Sequence, residues 1–270
     1  MRKFPPVNRI DQLFQNIATR NSRAFVAYLV AGDPTPSHTP GLVAALEKAG
    51  VDLVELGVPF SDPLADGVVN QLGAQRALDA GTTVGGVFRI VEQIRTTSRI
   101  PLVLFTYFNP VLHYGIDRFL DDCIRTGVDG VLLLDLPPEE AGKEWQAHPG
   151  VCRISLIAPT TPESRIQEIA AASSGFIYYV SREGVTGMQT QVSSSMEDRV
   201  ALIRRHTDLP VCVGFGISNP EQARAVARAA QGVVVGSAIV DRIGTWKNEA
   251  DLESRIVEFV RPMVDAAHQS

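Results

Sequence analysis

Lysine is scarce in this 270-residue chain: there are only Lys3, Lys48, Lys143 and Lys247, and none stands at the end of an apolar, strand-like run. A Schiff-base mechanism therefore has no nucleophile where one would be needed. The five histidines, His38, His113, His148, His206 and His268, are scattered without ligand spacing, so a metal-dependent reaction lacks support. His113 comes after the third apolar run and is expected to serve a surface role. Three cysteines, Cys123, Cys152 and Cys212, lie far apart with no C-x-x-C pair. That argues against a disulfide framework and fits a reduced, cytoplasmic location. No stretch of about 18 apolar residues occurs, and Pro5, Pro6, Asn8 and Asp11 break up the chain after Arg2 and Lys3. Neither a signal peptide nor membrane insertion is expected. The formal net charge is -5, and the one dense basic pair, Arg204-Arg205, reads as a helix end. A nucleic-acid partner is therefore not expected, because phosphate binding needs clustered Lys and Arg.

What is present is a regular alternation. Short apolar runs recur at Ala24 to Val30, Asp52 to Leu56, Pro101 to Thr106, Gly130 to Leu134, Cys152 to Ala158, Gly175 to Ser181, Pro210 to Gly214 and Gly232 to Val235. Between them lie segments with helical spacing, such as Leu42, Ala45, Leu46 and Ala49, or Ile166, Ile169, Ala170 and Ser173. Unbroken apolar strands alternating with amphipathic helices imply a parallel sheet covered on its faces, and eight such units favour closure. The expected fold is α/β, a single (β/α)8 TIM barrel occupying residues 1–270 as one domain. An open doubly wound sheet is the alternative. An extra N-terminal helix, Arg9 to Arg20, precedes the first strand and is expected to plug the barrel bottom.

A barrel places its functional groups at strand C-terminal ends. Glu55 interrupts the apolar second run, where an unpaired carboxylate is costly to bury; it serves either a structural pair with an Arg or a backbone hydrogen bond, or acid-base chemistry. Directly after it comes Gly57-Val58-Pro59-Phe60-Ser61-Asp62-Pro63-Leu64-Ala65-Asp66-Gly67, a loop stiffened by Pro and Gly. Asp66 there either closes a turn or joins the chemistry. Near the C-terminus, Gly214-Phe215-Gly216-Ile217-Ser218 and Gly236-Ser237 come after the last two runs, each with a helix start beyond it. Such turns form the phosphate cradle of many barrels. The polar stretch after the sixth run, Ser181 to Gln191, is expected to form a lid spanning roughly 182–195.

These segments taken together, with Ser181-Arg182-Glu183-Gly184-Val185-Thr186-Gly187, resemble the tryptophan synthase α subunit family across nearly the whole chain. The resemblance implies a carbon-carbon lyase of tryptophan biosynthesis that performs retro-aldol cleavage of indole-3-glycerol phosphate to indole and glyceraldehyde 3-phosphate. It implies Glu55 and Asp66 as catalytic residues, the first for proton transfer and the second for the indole N-H. It also implies substrate contacts from Tyr28, Phe105, Tyr107, Leu134, Ile157, Tyr178 and Thr186, and phosphate contacts from Gly187, Gly216, Gly236 and Ser237. Tyr28 and Phe105 stand where the family is associated with Phe and Leu. No cofactor is implied in this chain, with pyridoxal phosphate expected only in a partner β subunit. That partner would receive indole in an α2β2 complex and dock near Asp62, Pro63, Asn109 and Pro137. A phosphosugar isomerase on the same cradle and an idle activating subunit are the competing readings.

Overall fold

The computed structural model describes residues 8–140, 148–181, 189–214 and 216–270. Eight parallel strands close into a barrel in sequence order: β1 (Ala24–Val30), β2 (Leu53–Gly57), β3 (Leu102–Thr106), β4 (Gly130–Leu133), β5 (Cys152–Ile157), β6 (Ile177–Val180), β7 (Val211–Gly214) and β8 (Gly232–Val235). Closure is made by β8 pairing back onto β1, with Val26 opposite Val234. Every expected run became a strand; the first and eighth match at both ends, and the others shift by a residue or two. The sixth starts later than its apolar pattern because Gly175 adopts a positive φ of 80° and turns the chain before Ile177.

Helices occupy the outside: α1 (Arg9–Thr19), α2 (Thr39–Ala49), α3 (Val68–Asp79), α4 (Val84–Arg95), α5 (Phe108–Tyr114), α6 (Ile116–Thr126), α7 (Glu163–Ala171), α8 (Gln189–Arg204), α9 (Pro220–Ala229), α10 (Ser237–Trp246) and α11 (Leu252–His268). Side chains alternate across each strand, so the apolar content divides into two layers. One faces the helices and includes Phe25, Leu29, Leu56, Leu104 and Val213. The other fills the barrel and includes Val26, Leu53, Val103, Leu132, Ile154 and Cys212.

Helix α1 does close the bottom. Its Ile10, Phe14 and Ile17 are buried in the barrel-filling cluster, each contributing roughly 1.5–3 kcal/mol of apolar burial. Asn8 starts the helix by accepting a hydrogen bond from Ile10 N, while its amide donates to the carbonyls of Asp129 and Gly150. With that end sealed, the open end of the barrel is the one formed by the strand C-termini.

Candidate active site

Strand register places Tyr28, Glu55 and Val103 side by side on the inner face of β1, β2 and β3. Glu55 is 1% exposed, and among the described residues neither carboxylate oxygen has a hydrogen-bond partner. The ion pair that would make it structural is therefore absent from its described surroundings. Burial alone pushes its carboxyl up to about 8, so the group is mostly protonated at neutral pH.

Two tyrosines cross the interior beside it. The Tyr28 hydroxyl lies over Gly57, where a Cβ would come within 2.4 Å of it. The Tyr178 hydroxyl lies over Gly214, where a Cβ would come within 2.7 Å. Glycine at these strand ends thus makes room for a ring reaching in from the neighbouring strand. Burial raises both tyrosines well above their ordinary range; the nearby carboxylates add to this, Asp66 and then Glu55 for Tyr28, and Glu55 first for Tyr178. These mutual effects put Tyr28, Glu55, Asp66, Tyr107 and Tyr178 around one space.

Asp66 arrives from the loop after β2. Backbone bonds from Leu64 N to Asp62 O and from Asp66 N to Pro63 O fold that loop into successive turns just before α3. The Tyr107 hydroxyl donates to Asp66 Oδ2 at 2.8 Å and accepts from Ala65 N at 2.9 Å, so the end of β3 clamps the loop. Burial raises the Asp66 carboxyl, and hydrogen bonds from Tyr107 and the Asn70 side chain oppose the rise. Tyr107 in turn is raised by burial and by its bond to Asp66.

The walls are aromatic and aliphatic. Phe105 meets Tyr28 edge-on with ring centroids 5.1 Å apart, and Leu134 packs against the barrel-filling cluster. Ile157 stands apart from these, fully buried in the layer between barrel and helices. Leu156, in register with Tyr178 on β6, is the half-buried residue sharing the tyrosine's face. Thr186 and Gly187 lie outside the described residues, as do residues 182–188 of the expected lid, while its remainder from Gln189 onward is the start of helix α8.

The two glycine turns are not equivalent. Helix α9 is closed by its own residues: Asn219 accepts from Gln222 N, and Ser218 N donates to Gln222 Oε1. Helix α10 begins at Ser237 after Gly236 with no side-chain cap; Ile239 N and Val240 N donate to the Gly236 carbonyl, and the N-H groups before them are the ones a helix start leaves without an intrahelical acceptor. Gly216 takes a φ of 61°, and a Cβ there would meet nothing within 4 Å. Of the two helix starts, only that of α10 lacks a side-chain cap, and uncapped helix N-termini are the usual anion-binding end.

Of the residues expected at a docking face, Asp62 and Asn109 are exposed, and Asn109 lines a groove of about 710 Å³ with Phe60, Ser61, Pro110 and His113. Leu64, beside Asp62 and Pro63, is 93% exposed. Pro137 instead borders a separate cavity of about 280 Å³ between β4 and β5, near Arg153. Asn70 was not among the residues singled out from sequence. Its spacing of four from Asp66, across a helix start, was the available signal.

Residues 14–268 match the family model described as "Tryptophan synthase alpha chain". A tryptophan synthase alpha chain of Opitutus terrae is 55% identical over 240 residues, covering 88% of this chain and 90% of that protein. One from Geotalea uraniireducens is 49% identical over 257 residues, covering 94% and 96%. Among solved structures, tryptophan synthase subunit alpha from Legionella pneumophila superposes with a TM-score of 0.89 at 36% identity, covering 97% of this chain and 99% of that one. Tryptophan synthase from M. tuberculosis, in an open form with BRD0059 bound, gives 0.86 at 30% identity, covering 97% and 99%.

Proposed function

The chain belongs to the tryptophan synthase alpha chain family, and from that premise we propose how its own residues carry out the family's reaction. The reaction is the cleavage of indole-3-glycerol phosphate to indole and glyceraldehyde 3-phosphate, a lyase step of tryptophan biosynthesis that supplies indole to a β subunit.

Glu55 is protonated before the reaction and gives its proton to the indole carbon that bears the glycerol chain. Positive charge then spreads over the ring nitrogen, and Asp66 stabilises it by accepting the N-H hydrogen bond. The Glu55 carboxylate next takes the proton from the adjacent glycerol hydroxyl. A C=O bond forms there, the carbon-carbon bond breaks, and its electron pair restores the aromatic ring. Glu55 ends protonated, so the cycle leaves no net proton on the protein. Because the ring itself accepts the electrons, these steps need no lysine, metal or cofactor of the chain.

Tyr28, Phe105, Leu134 and Tyr178 enclose the indole, and Gly216, Gly236 and Ser237 receive the phosphate. Ile157 supports this wall from behind. Thr186 and Gly187 complete the site from the segment after β6. Residues 1–270 form one domain in a cytoplasmic α2β2 enzyme, and pyridoxal phosphate belongs to the β subunit alone. Among the described residues, no helix is long and apolar enough to cross a membrane. The β subunit docks on the face formed by Asp62, Pro63, Asn109 and Pro137.

The observation that carries this reading is a buried carboxylic acid, in the C-terminal part of strand β2, whose two oxygens have no partner among the described residues. It is tested by following indole formation with and without a β subunit. The wild-type chain should release indole slowly alone and faster with the partner, while Glu55→Gln should bind substrate and release almost none. Undiminished release by Glu55→Gln would remove Glu55 from the mechanism.

A further inference from the structure

Tyr28 stands on β1, the strand between the two ends of the site. Strand β8, paired to one side of β1, leads into Gly236 and the uncapped start of α10, whereas β2, paired to the other side, carries Glu55 and runs into the Asp66 loop. The Tyr28 side chain bridges these flanks. Its Cβ and nearest ring carbons lie 3.3–3.5 Å from where a Cβ on Gly236 would stand, and its hydroxyl lies 2.4 Å from the same point on Gly57. Gly57 is two residues beyond Glu55, hence on the same face of β2 and nearer the barrel mouth. Phe105, edge-on with ring centroids 5.1 Å apart, supports the ring in this pose. Tyr28 is only 7% exposed, yet its hydroxyl makes no hydrogen bond among the described residues. A buried phenol that serves only packing normally finds a partner, so this one is free for a ligand.

We infer that the Tyr28 hydroxyl orients the reacting part of the substrate: it donates a hydrogen bond to the side-chain oxygen from which Glu55 removes the proton. This rests on the reading of Glu55 as the acid-base group and of the α10 start as the phosphate end. A ligand with its phosphate beyond β8 and its ring beside Asp66 must carry its connecting carbons past β1, where Tyr28 is the one residue with a polar side chain. A substrate hydroxyl has one proton to donate and two lone pairs. With one lone pair held by Tyr28, the proton is left to face the Glu55 carboxylate. When that oxygen becomes a carbonyl it still accepts the same bond, so nothing has to rearrange during the step. Burial raises the phenol well above its ordinary range, which keeps it a donor at neutral pH. The pocket therefore selects side chains hydroxylated on the carbon next to the ring over deoxy ones.

The test uses indole-3-glycerol phosphate and its analogue lacking the hydroxyl next to the ring. Their affinities are measured by calorimetry on the full-length chain carrying Glu55→Gln, which stops turnover. Adding Tyr28→Phe should weaken the hydroxylated ligand about fivefold, the scale of one neutral hydrogen bond, and the deoxy analogue by less than about twofold. With Glu55 restored, Tyr28→Phe should lower kcat for indole release, measured with the β subunit, by at least the same factor. The phenylalanine keeps the ring and its contacts. If circular dichroism shows that variant unfolded, Gly57→Ala carries the same comparison, because its Cβ would displace the hydroxyl. Equal losses for the two ligands, or no loss for either, would overturn the inference while leaving Glu55 and the phosphate end in place. Should neither ligand bind the Glu55→Gln chain with Tyr28 intact, the underlying reading of the site fails, and this inference with it.

Discussion

Asp129, at the closed end of the barrel, and Glu55, at the open end, are both buried carboxylates, 4% and 1% exposed, but their surroundings differ in kind. Asp129 meets Arg9 at 2.8 Å and Arg95 at 3.0 Å, and accepts the Leu102 backbone N-H at 2.8 Å. Those partners oppose the upward push of burial and tie α1, α4 and β3 together below the barrel. Glu55 has burial and nothing among the described residues to oppose it. A carboxylate held by partners is a structural fastening. One that is buried without them raises its affinity for a proton and keeps both oxygens free for a ligand.

The sharpest way to break this contrast is to neutralise each acid in turn. Glu55→Gln should lower indole release by about 10²–10⁴-fold, the usual range for a positioned acid-base group, measured in a steady-state assay with the β subunit. The same change should flatten the pH dependence of folding. Folded Glu55 keeps its proton up to about 8, whereas the unfolded group loses it near 4.5. Stability of the wild type therefore falls across that interval as pH rises, and thermal melts of the variant should lack this slope. Asp129→Ala should do the reverse. It strands two arginines at the barrel bottom and should cost about 3–5 kcal/mol in urea unfolding, with KM unchanged for the folded protein.

Two smaller substitutions sharpen the comparison. Tyr107→Phe removes a donor from Asp66 and should lower kcat/KM about tenfold, with the acid limb of the pH profile moved upward because Asp66 loses a bond that stabilises its charged form. At the closed end, His268 Nε2 lies 2.8 Å from Asp52 Oδ2, which also accepts Phe25 N. That bond raises the His268 pKa above its ordinary 6.5. Its contribution is fully present below 6.5 and is lost as pH rises through the higher folded value. His268→Gln should cost no more than ~1 kcal/mol below pH 6.5, since the partly exposed pair is screened, and nothing at pH 9; melts at both values check this.

The alternation of apolar runs was enough to read eight strands, the closing helix α1 and the placement of Glu55 on β2, because each rests on neighbouring residues; the strand runs on through Leu56 and Gly57, so Glu55 is not its last residue. What could not be read there depends on register and on contacts distant in sequence. The tyrosine rings lying over Gly57 and Gly214 are set by which strand positions pair. The clamp from Tyr107 to Asp66 spans 41 residues. The two glycine turns looked alike in sequence, and only the bond from Gln222 N to Asn219 shows that α9 is already capped. Ile157 obeys the same rule: its side of the sheet is set by the phase of β5, which an unbroken apolar run does not reveal.

The claim that Glu55 is an unpaired proton carrier is tested most directly by titrating its carboxyl carbon in ¹³C-glutamate-labelled protein, with the signal assigned by its loss in Glu55→Gln. A midpoint at about 8 is the expected result in the ligand-free chain. A midpoint near the ordinary 4.5 would show that the carboxylate has partners or solvent, and would contradict the claim.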